Sequence, residues 1–267
     1  MSYPERENDP KSSLLCWRED GLAHLRFNRP DALNAIDLSM ANDFLAACQT
    51  IAADPQVRAV HISAEGPAFM AGGDLVAMRA DPVSVSRTLI RGMHGGLRLL
   101  AGMRAPVIAS VHGAVFGGGM GLMLACDLVV AAEGTRFGMA YPLIGASSDC
   151  STSWGLVHLL GLRKAMEFAL LADVIDVPEA LRLGLVNRVV PGSALREEGE
   201  SLARRLAAGP TQAYGNLKKL LRSAARSELG PHLEAEESAF LECAQTADFI
   251  EGVEAFLEKR KPRFAGV

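Results

Sequence analysis

The chain has few cysteines and none at paired spacing. Cys16, Cys48, Cys126, Cys150 and Cys243 lie far apart, with no CxxC. An odd, scattered set reads as reduced thiols of a cytoplasmic protein, not as a disulfide framework. An excess of basic residues is also missing. The 27 Lys and Arg are outweighed by 31 Asp and Glu, giving a net charge of −4, and no basic face is evident, which speaks against nucleic acid as a partner. Long apolar runs are scarce as well. Only Val107 to Cys126 nears the length of a membrane span, and it carries His112 and five glycines between Pro106 and Asp127, so no membrane helix is expected. The first residues, MSYPERENDPKSS, are charged and hold no apolar segment of the kind a signal peptide or anchor requires. A cytoplasmic location is the expectation.

Several familiar catalytic and binding motifs are absent too. After Gly117-x-Gly119 the third glycine of a dinucleotide fingerprint would fall on Leu122, and no GK[ST] follows any glycine loop. The six histidines are dispersed, none paired with another His or a Cys at ligand spacing, so no metal site is expected. Ser147 and Ser148 lie in no GxSxG elbow, which leaves a serine nucleophile unsupported.

What is present is the composition of a soluble globular protein: 267 residues, 49% of them hydrophobic, enough to bury a sizeable core. Residues 13–17 and 21–27 read as a hairpin turning at Glu19-Asp20-Gly21. Asp37 can cap a helix whose apolar positions, Leu38, Ala41, Phe44, Leu45, Cys48 and Ile51, recur at spacings of three and four until Asp54-Pro55 stops it. Val57 to Ile62 reads as a strand, and Glu65 to Gly73 as a glycine-containing loop. A helical segment follows from about Asp81 to Met103. Short strands are expected at Leu128 to Ala132 and Arg136 to Gly138, then helices near Trp154–Leu160 and Arg163–Ala172, and one begun by Pro178. From Ser193 onward the pattern is helical, with breaks at Gly209-Pro210 and Gly230-Pro231.

The stretch Pro106 to Asp127 organises the rest. Val107 to Val111 is a β-branched run suited to a strand covered on both faces, and the glycines Gly117, Gly118 and Gly119 lead into a Met/Leu/Ala helix. A helix starting near Gly118 would present free backbone N–H groups to a ligand, and residues without side chains would let it come close. Tight packing alone could also account for the glycines. Yet the same strand–loop–helix order occurs one step earlier, ending in Ala71-Gly72-Gly73. Two adjacent glycine loops leaving neighbouring strands can pinch one ligand atom between them.

Together these pieces resemble the crotonase, or enoyl-CoA hydratase/isomerase, superfamily. The matching residues are Asn28-Arg29-Pro30 with Ala32-Leu33-Asn34-Ala35, Phe69-Met70-Ala71-Gly72-Gly73-Asp74-Leu75, Gly113-x-x-x-Gly117-Gly118-Gly119 and Cys126-Asp127-Leu128. They continue with Phe137-Gly138, Gly184-Leu185-Val186 and the tail from Glu251-Gly252 to Glu258-Lys259-Arg260-Lys261-Pro262. The resemblance implies an α/β fold: a 1–12 tail, a spiral of ββα units over 13–192 bearing an acyl-CoA site, and a C-terminal helical region, 193–267, in trimers or dimers of trimers. It implies no cofactor beyond the coenzyme A of the substrate. The thioester oxygen would sit between the backbone N–H groups of Gly73 and Gly118, donors that stabilise an enolate more than the ground state. Ala32, Leu33, Ala71, Asp74 and Leu75 would line the CoA, and Phe256 and Lys259 would cap CoA on a neighbouring subunit. Val76 stands where many relatives carry a phosphate-binding lysine, a contact that Arg79 or Lys259 would then supply.

One departure bears on the reaction. Hydratases of this family use two glutamates, and those positions hold Gly121 and Tyr141 here. Hydration needs one group to activate water and one to manage the proton. A carboxylate appears eight residues after Tyr141, at Asp149, the spacing of the single catalytic aspartate in the dienoyl-CoA and phenylacetate-pathway isomerases. One carboxylate can move a proton between two carbons on the same face. The resemblance therefore favours a double-bond isomerase with Asp149 catalytic, in a pocket walled by Met70, Met120, Tyr141 or Trp154 that would desolvate the carboxylate, nearby Ser148 or Ser151 hydroxyls acting against this. Tyr141 is the second candidate. A hydratase or hydrolase using a water held by Tyr141 and the serines, and an acyl-CoA-binding homologue without turnover, are the alternatives. Asp149 could instead cap the helix near Trp154, and His112 reads as a structural turn residue.

Overall fold

The computed structural model describes residues 12–267, so the expected 1–12 tail lies, up to residue 11, outside the described residues. Strands β1 (Leu14–Glu19) and β2 (Leu22–Phe27) form the antiparallel hairpin, with Asp20 and Gly21 at positive φ in its turn. Helix α1 (Leu38–Ala53) starts where expected, because the Asp37 carboxylate accepts from the Met40 N–H at 2.8 Å. There follow β3 (Ala59–Ala64), α2 (Leu75–Ala80), α3 (Pro82–Gly102), β4 (Val107–Val111), β5 (Ala114–Phe116) and α4 (Gly118–Ala125). Next come β6 (Leu128–Ala132), β7 (Arg136–Gly138), α5 (Thr152–Leu171), β8 (Ile175–Asp176), α6 (Val177–Arg182) and β9 (Arg188–Val190). Helices α7 (Leu195–Ala207), α8 (Thr211–Ala224), α9 (Leu229–Ala244) and α10 (Ala247–Leu257) end the chain.

The larger sheet runs β1-β2-β3-β4-β6-β9, parallel throughout after the first hairpin, and a smaller sheet runs β5-β7-β8. Along β4 the side chains alternate between two cores. Val107, Ala109 and Val111 pack toward α1 and α3, whereas Ile108 packs toward α7 with Leu195, Leu202 and Ala203. Both faces are therefore dry, as a parallel sheet requires. Helices α1 and α3 approach closely because α3 carries Gly92, where a methyl would lie 2.7 Å from the Ala41 carbonyl oxygen.

Three elements differ from the sequence reading. The segment Leu75–Ala80 after the first glycine loop is a short helix, capped by Asp74. The two helices expected around Gly161 run as one element kinked at that residue. The break expected at Gly230-Pro231 falls just before it, at residues 225–228, and the pair itself lies in the first turn of α9, where a proline costs no hydrogen bond. Helix α9 has no buried residue among the described residues, and Leu229, Leu233, Phe240 and Leu241 are exposed. No helix among the described residues is long and apolar enough to cross a membrane.

Candidate active site

The two glycine loops meet. A methyl placed on Gly72 would lie 3.4 Å from the carbonyl oxygen of Phe116 and 3.8 Å from the amide nitrogen of Gly118. Gly72 itself has φ +105 and Gly117 φ +52, conformations that side chains resist. The first loop is fixed on one side by a ladder, in which Ile36 N–H donates to the Gly72 carbonyl at 2.8 Å and Asp74 N–H to the Ile36 carbonyl at 2.9 Å. The amide of Gly73, between these two, points away from that ladder. The second loop is held by Gly117 N–H, donating to the Gly138 carbonyl at 3.1 Å. Gly118 is the first residue of α4, so its N–H has no intrahelical acceptor. The methyl of Met78 covers Gly73, 2.4 Å from where a Cβ there would sit.

Facing the second loop is the turn that precedes α5. A methyl on Gly118 would lie 3.9 Å from Asp149 Oδ1 and 3.5 Å from the Cys150 sulfur. The phenol of Tyr141 donates to Asp149 Oδ1 at 2.5 Å and lies 3.4 Å from Thr152 Oγ1. Burial, and then the neighbouring Asp149 charge, push the Tyr141 phenol far above its ordinary value, so it remains a protonated donor. The same causes push the Cys150 thiol up, which keeps it neutral. Asp149 itself is partly exposed.

The turn has a fixed backbone. The Asp149 carbonyl accepts from Thr152 N–H at 2.9 Å and from Thr152 Oγ1 at 2.7 Å, and Cys150 N–H donates to His94 Nε2 at 3.0 Å. Cys150 and Ser151 both hold positive φ, at 48 and 64. The carboxylate is thus engaged by Tyr141 and does not cap α5, whose N-cap Ser151 makes no side-chain cap bond.

The glycine loops, Asp149 and Tyr141 are brought together, with Met70 and Met120 fully buried beside them. Trp154 is 41% exposed and lines, with His94 and Ser151, a 1190 Å³ cavity between α3, α5 and α8. Ser151 Oγ approaches the Gly121 carbonyl at 3.5 Å. At the mouth, Ala32 ends a 3-10 turn, Ala71 N–H donates to the Leu33 carbonyl at 3.0 Å, and Asp74 caps α2 while accepting from Arg29 at 3.2 Å. Leu33, Leu75 and Val76 are exposed there. Phe256 and Lys259 lie elsewhere in the single chain. Phe256 is 82% exposed at the end of α10, where it borders a groove with Phe249 and Phe264, and Lys259 follows in a left-handed conformation. His112 is a turn residue as expected, its Nε2 lying 2.8 Å from the Gly66 carbonyl. The sequence reading missed Met78, His94, Cys150 and Thr152, which touch the site through packing of distant segments and belong to no local motif.

Comparison with known proteins agrees with the geometry. The family model for enoyl-CoA hydratase/isomerase matches residues 18–267. A "Probable enoyl-CoA hydratase" of Rhodobacter capsulatus is 35% identical over 247 residues, covering 92% of this chain and 95% of the relative. The 1,2-epoxyphenylacetyl-CoA isomerase of Escherichia coli is 32% identical over 257 residues, 95% and 98% of the two chains. The crystal structure of an enoyl-CoA hydratase from Mycobacterium smegmatis superposes with a TM-score of 0.87 at 34% identity, covering 94% of this chain and 98% of that one. The fold is thus the α/β crotonase spiral, and the relatives' names include hydratases, an isomerase and 4-chlorobenzoyl coenzyme A dehalogenases.

Proposed function

The chain belongs to the enoyl-CoA hydratase/isomerase family of acyl-CoA enzymes, and we propose that within it the protein is a double-bond isomerase using one carboxylate. The observation that carries this reading is the placement of Asp149 opposite Gly118, with Gly121 and Tyr141 at the two positions where hydratases hold glutamates.

The thioester carbonyl oxygen lies between the N–H groups of Gly73 and Gly118. The Asp149 carboxylate takes a proton from the carbon next to the thioester, and the electron pair of that C–H bond passes into a dienolate whose oxygen carries the charge. The two N–H donors stabilise that oxygen, an effect worth about 3–4 kcal/mol per donor in other enolate and oxyanion sites. The protonated Asp149 then returns the proton to the γ carbon, moving the double bond into conjugation with the thioester. Tyr141 holds the carboxylate in place by its short hydrogen bond. No cofactor other than the substrate's own coenzyme A takes part. Ala32, Leu33, Ala71, Asp74 and Leu75 form the CoA-side mouth, and Phe256 and Lys259, exposed and remote in one chain, reach the site of a neighbouring subunit in a trimer or dimer of trimers.

The test is turnover of 3-enoyl-, dienoyl- and oxepin-type acyl-CoA esters by the purified protein, followed by appearance or loss of conjugation. Asp149→Asn should lose the activity and keep acyl-CoA binding. Unchanged turnover in that variant would overturn the assignment.

A further inference from the structure

We infer that His94 is a positioning residue for Asp149, an inference that rests on the reading of Asp149 as the proton carrier. Asp149 is anchored through its side chain by Tyr141 and through its own carbonyl by Thr152. The next peptide is a different matter. Cys150 and Ser151, neither of them glycine, both occupy the left-handed region, a conformation that persists only when surroundings hold it. Among the described residues, the side-chain acceptor for the Cys150 N–H is His94 Nε2, at 3.0 Å. His94 belongs to α3, a 21-residue helix packed on α1, α2 and α4, and so ties the turn to the rigid body of the fold.

The hydrogen bond also fixes what His94 can do. A nitrogen that accepts from a backbone N–H carries no proton, so the ring holds its proton on Nδ1. Its Nε2 lone pair is engaged and is not available to take a proton from substrate. His94 therefore acts on the reaction through the geometry of the Asp149–Ser151 turn.

The experiment compares wild type with His94→Phe, His94→Leu and His94→Gln, and repeats His94→Phe in the Asp149→Asn background. Turnover is read with trans-3-hexenoyl-CoA, both as the conjugated product and as deuterium uptake at the α carbon in heavy water. Phe keeps a flat ring and Leu a branched apolar side chain, and neither offers an acceptor. Gln places an amide oxygen near the position of Nε2. Displacing a reacting group by about 1 Å can cost on the order of 100-fold, so His94→Phe and His94→Leu should lower kcat by about 10- to 100-fold while KM changes by less than about twofold. His94→Gln should recover most of the loss, and His94→Phe should leave the acyl-CoA binding of the Asp149→Asn protein unchanged.

Wild-type kcat in His94→Phe, alongside an inactive Asp149→Asn, would overturn this inference and leave the isomerase reading standing. A His94→Gln variant as slow as His94→Phe would overturn it too, since the ring itself would then be needed. Full activity of Asp149→Asn is the separate outcome in which the isomerase reading fails, and the role of His94 with it.

Discussion

A methyl group on Gly121 would lie 2.5 Å from Oγ1 of Thr152, and 2.3 Å from the carbonyl oxygen of Cys150. The volume into which a hydratase-type glutamate would project at this position is therefore filled by the turn that carries Asp149. A side chain at position 121 and the present placement of the Asp149 turn therefore exclude one another.

Gly121→Ala tests this. The nearest neighbour is backbone, which cannot swing aside, so the substitution should destabilise by about 1–3 kcal/mol through overpacking. It should also slow turnover by shifting the Asp149 turn. Gly121→Glu should be worse in both respects and should gain no hydration of crotonyl-CoA. Thermal midpoints and a crotonyl-CoA hydration assay check both statements. A stable Gly121→Glu protein that hydrates crotonyl-CoA would show that the turn yields.

Tyr141→Phe removes the donor to Asp149 and leaves the ring packed. A hydrogen bond to a charged group is worth about 1.5–3 kcal/mol, so kcat should drop by about tenfold or more. There is also a consequence for pH. The folded protein keeps the Tyr141 proton well above the ordinary phenol value of 10, while the unfolded chain releases it near that value. The folded state then binds more protons, and its stability falls as pH rises beyond about 10. Tyr141→Phe should lessen this alkaline loss, as read by thermal midpoints across that range.

How far the sequence could be read follows the range of the interactions. Helix α1 was legible because its cap Asp37 and its apolar spacing are local, and β6 and β7 because short apolar runs stand between turn residues. The two glycine loops were legible as loops. Their contact through Gly72 and Phe116 depends on the isolated bridge of Met70 to Val115, which lays the first loop beside β5, and β5 is a three-residue strand that no pattern marks. The position of Asp149 opposite Gly118 followed only from family resemblance. Its anchors, His94 from 56 residues upstream of Cys150 and Thr152 against Gly121, belong to tertiary packing and leave no periodic trace.

Gly73→Ala and Gly118→Ala separate folding from catalysis. At Gly73 the obstacle to a methyl is the flexible end of Met78, at 2.4 Å, and at Gly118 it is the tip of Ile36, at 3.0 Å. Both side chains can move, and neither glycine has a positive φ, so each variant should fold with a thermal midpoint near that of wild type. The added methyl would displace the thioester oxygen from its donors and lower kcat by about 10²–10³-fold. Circular dichroism melts and turnover of the same acyl-CoA distinguish the two effects. Retained activity in both variants would remove the loops from the reaction.

Acid sensitivity should come from histidines outside the site. His24 stacks on Trp17 with ring centres 4.4 Å apart, and neither of its ring nitrogens has a hydrogen-bond partner among the described residues. Burial, followed by the nearby Arg26 and Arg204 charges, lowers its pKa from 6.5 to about 4. His61, beneath α7 and 2.8 Å from Ser110 Oγ, is lowered to about 3, chiefly by burial. Below pH 6.5 the unfolded chain takes up these protons while the folded chain does not, so the unfolded state binds more and stability falls with pH. The loss begins near 6.5 and continues to about 4 for His24 and about 3 for His61. Carboxylates ordinarily titrate near 4, which makes the upper part of this window specific to histidine. His24→Phe keeps an aromatic partner for Trp17 and removes one site of proton uptake. Its thermal midpoint at pH 8 should equal or exceed that of wild type, and its decline between pH 6.5 and 5 should be shallower. A decline of equal depth would place the acid sensitivity on other groups.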